Sequence, residues 1–578
     1  MPDRISRAEH AIRHGPTAGD LVRLGDTDLW LHIDADVTAI GDEPRWGFGK
    51  DLRSRMTQRD RAPRESELDA VIAGAIVVDP LLGVLKADIG IKDGRIVGVG
   101  RAGNPDITDG VDLTIGPNTW PIPCQGFIAT PGGVDSHVHL LSPRLVPTAL
   151  SAGITTLITA GFEEPPSRMH RTLEAFEAYP VNIGLQASAR SETSSQAESV
   201  IEAGAIGLKV HEDWGAYPEL IDRTLDVADA YDVAVCLHTD GLNESTELDG
   251  TIAAIADRAV HAYHVEGAGG GHVPDLLALV RHPNVVCSST TPGIPFAPAA
   301  AAEHLDMIQI VHETNPALHD DVDAARERIR PWTMAAEGPL HELGAIQLIN
   351  SDSQGMGRIG ETIRRTWQLA DAMKAWRASG DGAGWPDAPV VAAARTVAPG
   401  PTGPRGDNDR ILRYLAKYTV DAARTHGIAS EVGSLSPGHL ADVVLWAPAS
   451  FGVRPAVVVK AGVVAWGPTG SGNASVHLAQ PTSLGPDWGA VGTAPTALSV
   501  VFASRAAHEA GLRETLATRR RVVPIGGTRG VKRASLAANG ATAAIDVDAA
   551  AEEVRLDGRV LGAAPVDRVP LSRRYLLA

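Results

Sequence analysis

The amino-acid sequence predicts an α/β protein that consists of a (β/α)8 barrel of the TIM type and a second, β-rich domain. The chain has 578 residues, several times the size of a typical domain, so more than one hydrophobic core is expected. Between residues 126 and 426, eight apolar, β-rich runs recur, and stretches with helical periodicity separate most of them. Short β-branched runs with turn signals lie on both sides of this region.

Eight alternations of strand and helix predict a barrel whose active site lies at the carboxyl ends of the strands. Residues 379–406 are rich in Gly, Pro and Ala, which indicates a loop or insertion late in the barrel. The first apolar run ends at Val138, and the others cover residues 154–160, 181–187, 205–211, 233–239, 259–265, 284–289 and 345–351.

The β-rich domain is expected to combine segments from both ends of the chain. Residues 69–101 have the pattern of meandering strands, and residues 440–448 and 456–466 form a second patch of the same type. The simplest division has three parts: a composite β-rich domain of residues 1–130 and 423–480, a barrel of residues 131–422, and a carboxyl-terminal segment, residues 481–578, that packs on the barrel.

Composition argues against several classes of protein. The net charge of −18 is unsuited to nucleic acid or to an anionic membrane, because both require a basic face. The sequence has no run of 18 apolar residues, so a membrane span is not expected. The first residues lack the apolar core of a secretory signal. Three cysteines are too few for a disulfide framework, which favours a cytoplasmic protein.

Rare residue types collect at the ends of the predicted strands. The first strand ends in DSHVH, and residues two apart in a strand point to the same face, so His137 and His139 would enter one site. The fourth strand places Lys209 and His211 in the same relation. Burial near cations would lower the pKa of Lys209 from about 10.4. A neutral lysine reacts with carbon dioxide to give a carbamate, a bidentate anion that can bridge two metals.

Three further side chains complete a possible metal set. His238 ends the fifth strand, His264 the sixth, and Asp352 the eighth. Individually, a histidine could be a hydrogen-bonded core residue and an aspartate a helix cap. Near His264, His261 would face the opposite side of the strand and His272 lies beyond a glycine run. Position favours His264, although spacing does not exclude His272.

Two metals held in this way would polarise a substrate carbonyl and activate a water for attack. A general acid must then protonate the leaving nitrogen. His211 and His312 are the candidates, and Arg328 could tune a histidine or bind an anion.

Ten segments resemble the catalytic alpha subunit of urease, a member of the amidohydrolase superfamily, in the family's order over nearly the whole chain. These segments are DLVRLGDTDLWLHI, KADIGIKDGRIVGVGRAGNPDI, AGAIGLKVHEDWG, HTDGLNE, HVEGAGGGHVPD, AAEHLDM, NSDSQGMGR, LRYLAKYT, ADVVLW and SRRYLLA. The resemblance implies two Ni2+ ions bridged by carbamylated Lys209. One nickel would be bound by His238 and His264, and the other by His137, His139 and Asp352.

The resemblance also implies roles around the substrate. His211 would bind the carbonyl oxygen of urea, His312 would be the general acid on a flap, supported by Arg328, and Gly269 would lie beside the pocket. Members of the family assemble as trimers of units that contain two smaller chains, the beta and gamma subunits. A homotrimer or higher assembly is therefore expected.

Several rim segments depart from the family pattern. Val311 replaces the usual cysteine before the flap histidine, and the glycine- and threonine-rich loop after the second strand is shortened to AGFEEPPSRMHR. The segments 188–196 and 290–300 also differ. Rim loops govern substrate choice and strand ends govern chemistry in a barrel, so the metal chemistry is better supported than urea itself.

Three hypotheses follow. The first is a divergent urease that cleaves urea to ammonia and carbamate. The second is a paralogue acting on another small amide, ureido or guanidino compound; Glu163 and Glu164 could meet a cationic substrate, although adjacent loop glutamates are more often solvated. The third is a non-catalytic assembly partner, which predicts lost ligands, and none is lost. Other barrel amidohydrolases share the ligand pattern but not the flanking β segments or the carboxyl-terminal tail.

Overall fold

Parallel strands form the centre of the molecule, and they follow one another in sequence order. The computed structural model describes residues 5–38, 57–191, 193–211, 215–238, 248–267, 273–388, 406–470 and 483–572. The barrel strands one to eight are Gly133–Val138, Ile154–Thr159, a split third strand (Asn182–Gly184 and Gln186–Ser188), Gly207–Val210, Ala234–Leu237, Val260–Ala262, Val285–Thr290 and Leu348–Asn350. Each of the eight predicted runs overlaps one of these strands.

The third strand joins two curved sheets. Its first half pairs in parallel with strand two and its second half with strand four, after which strands four to eight continue the second sheet. The first and eighth strands meet at a parallel bridge between Val138 and Ser353, where the amide of His139 donates to the Ser353 carbonyl at 2.9 Å. All eight carboxyl ends therefore lie on one side, as the TIM-type α/β prediction requires.

Helices connect the strands and cover them. The helix Pro218–Tyr231 illustrates the pattern, because it begins with proline and buries residues spaced three and four apart. The α-helices are Arg7–His14, Leu145–Ser151, Pro166–Ala175, Ser194–Glu202, Pro218–Tyr231, Leu248–Ile255, Ala300–Val311, His319–Glu327, Pro331–Glu342, Thr362–Ala378, Asn408–Ala416, Val420–Thr425, Ala494–Leu498, Arg505–Glu509 and Leu512–Thr515. Strands six and seven are connected through the 3-10 helix Leu276–Arg281.

A further sheet, outside the barrel, combines strands from both ends of the chain. The strand Ile128–Pro131 pairs with Ala70–Asp79 on one side and Val443–Trp446 on the other, and the chain then runs directly into barrel strand one. The other strands of this sheet are Ala35–Asp36, Gly83–Lys92, Arg95–Gly100, Trp120–Pro123, Val457–Lys460, Val463–Pro468 and Leu484–Pro486. Two small sheets pair Leu21–Arg23 with Trp30–His32 and Ala102–Gly103 with Leu113–Thr114. The β-rich domain predicted from the sequence is present, and its boundaries remain a prediction.

The carboxyl-terminal segment adds structure that the sequence analysis did not predict. Val500–Ala503 and Arg521–Pro524 are two parallel strands that extend the sheet beside Asn182–Gly184. Ile545–Asp548, Glu553–Leu556 and Arg559–Val560 form an antiparallel sheet. Arg533, buried, donates to the carbonyls of Val285 and Ala345 at 2.7 and 2.6 Å, so this segment is fastened to barrel strands. Among the described residues, no helix is long and apolar enough to cross a membrane.

Candidate metal centre

A cavity of about 220 Å³ opens at the carboxyl ends of the barrel strands. All six side chains that the sequence suggested as metal ligands line it, together with His211 and His312. Its described lining consists of His137, His139, Leu141, Phe162, Lys209, His211, His238, His264, Val311, His312, Asp352, Gln354, Gly355 and Met356. The structure therefore brings residues from strands one, four, five, six and eight into one site.

Strands one and eight meet at the carboxylate of Asp352. Its Oδ1 atom lies 3.1 Å from His139 Nε2 and 3.3 Å from His137 Nε2, because the two histidines alternate with Val138 along the strand. Burial would raise the pKa of Asp352, but the hydrogen bond and charge of His139 outweigh burial and hold it below its usual value. Asp352 is thus an anion in a buried site, as a metal ligand must be.

Lys209 is a buried residue of the cavity lining. The side chain is 1% exposed, and Nζ lies 4.2 Å from the centre of the Tyr263 ring. Gly161 makes room for it, since a Cβ at position 161 would lie 2.6 Å from Lys209 Cβ. A buried lysine among histidines agrees with the prediction of a modified bridging ligand, which remains a proposal.

The histidines contact one another through their rings. The ring centres of His211 and His238 are 3.9 Å apart, and those of His238 and His264 are 4.5 Å apart. Burial, followed by the nearby histidine and lysine charges, lowers the pKa of His137, His211 and His238 well below the usual value. These imidazoles are consequently neutral near pH 7, which is the form that binds metals.

The backbone of the site is strained where ligands enter it. His264 and Asp352 have φ angles of 33° and 55°, in the left-handed region that residues other than glycine rarely adopt. Phe162 shares this property at 81°. Such strain persists only where surrounding contacts determine the conformation, and it concentrates at functional sites.

Asp135 fixes the relative position of strands one and eight. Its carboxylate accepts hydrogen bonds from the Ser351 amide at 3.0 Å, the Thr362 hydroxyl at 3.1 Å and the His137 amide at 3.3 Å. Burial raises the pKa of Asp135 to about 6 in spite of these bonds. The DSHVH motif contains Asp135 but does not by itself predict this role.

Two residues of the predicted flap, Val311 and His312, lie at the cavity. His312 follows the helix Ala300–Val311 directly, and both His312 and Val311 line the cavity. Arg328 follows the next helix, His319–Glu327, and is not among the described residues that line the cavity. The pKa of His238 is lowered mainly by burial and then by nearby charges, of which that of Arg328 is the weakest. Gly269 and His272 lie outside the described residues.

Phe162 is a pocket residue that the sequence analysis missed. Its ring stacks on His139 with centres 5.7 Å apart and meets the His211 ring edge-on at 5.4 Å. The available signal was an aromatic side chain directly after strand two and Gly161, in a chain with only 4% aromatics. The side chain covers two of the site histidines with an apolar surface.

Glu163 and Glu164 do not face the cavity, so the proposed contact with a cationic substrate was wrong. Glu163 is 3% exposed and accepts a hydrogen bond from the Thr159 hydroxyl at 2.9 Å, and burial raises its pKa well above the usual value. Glu164 accepts from the Ser188 amide at 3.0 Å and forms an ion pair with Arg190. Neither is simply solvated, because both hold the shortened loop against the barrel.

The donors fit a metal-binding site. One ligand atom each of His137, His264 and Asp352 lies within 4.8 Å of the other two, and all three residues are buried. Neutral imidazoles and an ionised carboxylate suit nickel, zinc, iron or manganese. His261, in contrast, does not line the cavity, which agrees with the preference for His264.

Comparisons with known proteins agree with this geometry. Residues 3–122 match the family model described as the urease alpha-subunit N-terminal domain, and residues 128–475 match that of the amidohydrolase family. The urease subunit alpha of Natronomonas pharaonis is 44% identical over 588 aligned residues, which cover 100% of both chains.

Similar solved structures include two hydantoinases. A D-hydantoinase (dihydropyrimidinase) from Thermus sp. is 16% identical with a TM-score of 0.46, over 68% of this chain and 95% of that one. A dihydropyrimidinase from Brevibacillus agri is 15% identical with a TM-score of 0.47, over 68% of this chain and 94% of that one.

Proposed function

This chain belongs to the urease alpha-subunit family of the amidohydrolases, and from that premise we propose that it hydrolyses a C–N bond of urea to ammonia and carbamate. It is a metal-dependent hydrolase of amide C–N bonds. The observation that carries the proposal is the convergence of four histidines, Lys209 and Asp352 on one cavity.

We infer that the centre would take two Ni2+ ions, with carbamylated Lys209 as their shared ligand. When bound, the ions would supply Lewis acidity toward the carbonyl and lower the pKa of a water toward about 7. Asp352 is oriented for ligation by His137 and His139, and Asp135 keeps strands one and eight in register. The remaining ligands would be His238 and His264.

The chain's other side chains would bind substrate and move protons. His211 is buried and neutral, so its ring N–H can donate to a substrate carbonyl oxygen without adding charge. His312, which follows a helix and lines the cavity, would give a proton to the leaving nitrogen. Gly269 would lie beside the substrate, and Arg328 would support His312. Phe162 would exclude water from one wall.

Ammonia release from purified protein tests this proposal. Nickel-loaded protein is offered urea, biuret-like, ureido and guanidino compounds, with Lys209→Ala as the inactive variant and Lys532→Ala, a surface lysine, as the matched control. Ammonia from urea with wild type and Lys532→Ala, and none with Lys209→Ala, is expected. Activity on a larger amide without activity on urea would contradict the urea proposal, and metal-loaded protein inert to every compound would favour a non-catalytic role.

A second candidate substrate is a larger amide with an apolar group. Phe162, Leu141 and Met356 supply apolar surface to a cavity of about 220 Å³, which is larger than urea, with its four non-hydrogen atoms, requires. Because glycine adopts positive φ without strain, Phe162→Gly removes the ring and preserves the backbone. If the larger amide is the substrate, kcat/KM for that amide should fall in Phe162→Gly. A rise of kcat/KM for urea alone would favour urea as the substrate.

We also infer that the chain assembles with other copies and with small beta- and gamma-type subunits in the cytoplasm, as family membership suggests. Light scattering of the chain alone and co-expressed with such subunits tests this. A trimeric or larger particle is expected, and a monomer under both conditions would contradict it.

A further inference from the structure

A second group of metal-binding side chains lies inside the barrel, apart from the catalytic cavity. Cys236 comes from strand five, His261 from strand six, and His426 directly follows the helix Val420–Thr425. One ligand atom of each lies within 4.8 Å of the other two, and Cys236 Sγ is 3.9 Å from His261 Nδ1. All three are at most 2% exposed.

Tyr263 lies between this cluster and the catalytic site. Its ring centre is 4.4 Å from that of His261 and 4.2 Å from Lys209 Nζ. The two groups of ligands are therefore neighbours in the barrel but do not share a residue, and no ligand proposed for nickel belongs to the second cluster.

Among the imidazole nitrogens of the cluster, only His261 Nδ1 has a hydrogen-bond partner in the part of the chain that the structure describes, and that partner is Cys236 Sγ. Three buried nitrogens have no hydrogen-bond partner within the described chain. They are both ring nitrogens of His426 and the Nε2 atom of His261. The rings of His261 and His426 meet edge-on with centres 5.3 Å apart, and no hydrogen bond joins the two imidazoles. A buried polar atom without a partner costs free energy, and a bound ion would satisfy these atoms.

We propose that Cys236, His261 and His426 bind a single thiophilic divalent cation, with zinc as the best match. Thiolate and imidazole are the ligands that zinc prefers in four-coordinate sites. On binding, the Cys236 thiol releases its proton to solvent and the sulfur lone pair forms the bond to the ion. This site is separate from the proposed nickel centre and does not depend on the proposed hydrolysis.

A small cavity that borders the cluster at His261 would hold the fourth ligand. It has a volume of about 10 Å³, the size of a single water, and is lined by His261, Thr425 and Thr528 among others. A water in this cavity would complete the tetrahedron. The ion would fasten residue 426, which follows the barrel, to strands five and six, a structural role like that of other closed zinc sites.

Cobalt(II) is the probe, because a cobalt–thiolate bond absorbs strongly in the near ultraviolet and a catalytic centre without sulfur ligands does not. The metal-free full-length protein is titrated with Co2+, alone and in competition with Zn2+. Wild type and Lys209→Ala, which disables the catalytic centre, should both show the band, and zinc should abolish it.

Cys236→Ser, which preserves the side-chain volume, should lose the band and bind one equivalent of zinc less per chain. Cys124→Ala is the matched control, since Cys124 is a buried cysteine in the β-rich domain, and it should retain both. His426→Asn retains the thiol and should weaken zinc binding at least tenfold. Absence of the band in folded wild type, or its persistence in Cys236→Ser, would overturn the proposal and leave a buried water as the partner of the imidazoles.

Discussion

Replacement of Gly355 by alanine tests the packing of the metal centre most sharply. A Cβ at this position would lie 2.6 Å from Asp352 Oδ1 and 2.9 Å from His139 Cδ2. Ordinary contact begins near 3.4 Å, so the carboxylate would have to retreat by roughly 0.8 Å. Gly355 does not have a positive φ, and alanine is therefore compatible with the backbone itself.

The displacement acts on a carboxylate oxygen that lies 3.1 Å from His139 Nε2 and 3.3 Å from His137 Nε2. A misplacement of about 1 Å can cost about 100-fold in rate, equivalent to about 2.7 kcal/mol of transition-state stabilisation. We expect Gly355→Ala to lower kcat/KM by about this factor and to reduce metal content, with little change in the unfolding midpoint.

The assay combines metal analysis, steady-state kinetics and thermal unfolding. Gly380→Ala is the matched control, because no atom lies within 4 Å of a Cβ at that position. Full activity and full metal content in Gly355→Ala would refute the inference that Asp352 and His139 are held at a fixed separation for ligation.

Three further predictions concern Gly161, His312 and Asp88. Gly161→Ala should lower metal content, because the new Cβ would collide with Lys209 and the φ of +96° disfavours alanine; full metal content would contradict this. His312→Gln should retain its metals and lose about 10²- to 10⁴-fold in kcat, whereas His319→Gln, an exposed histidine nearby, should change neither. Burial raises the pKa of Asp88 from 3.8 to about 6, so the protonated form stabilises the fold below pH 3.8 and this contribution disappears as pH rises through about 6. Relative to Asp88→Asn, wild type should therefore gain about 1 kcal/mol of unfolding free energy between pH 7 and pH 5, measured by denaturant titration; an unchanged difference would show that Asp88 is not buried as described.

The barrel could be predicted because its strands are short, apolar and regularly spaced. Each run became a strand, and the i, i+2 alternation placed His137 and His139 in one cavity. The split of the third strand at Leu185 was not predictable, since it arises from pairing with different neighbours on each side. The strands Val500–Ala503 and Arg521–Pro524 were missed for a similar reason, because Val500–Ala503 pairs with a strand more than 300 residues earlier and Arg521–Pro524 in turn pairs with Val500–Ala503.

The site itself was predictable where side-chain direction follows from strand periodicity and less so on the rim. Phe162, Glu163 and Glu164 are consecutive, yet the first enters the cavity and the others turn into the barrel wall, because Phe162 has a left-handed backbone. Asp135 could not be identified as a tether from sequence, since its partners Ser351 and Thr362 are distant along the chain.

The most direct test of a carbamate-bridged centre is the dependence of metal uptake on carbon dioxide. Metal-free wild type is incubated with Ni2+ with and without bicarbonate, and the tightly bound nickel and the ammonia released from urea are measured. A bicarbonate-dependent pair of nickel ions, accompanied by activity and absent in Lys209→Ala, is the predicted result. Uptake of nickel and full activity without bicarbonate, or in Lys209→Ala, would contradict the account.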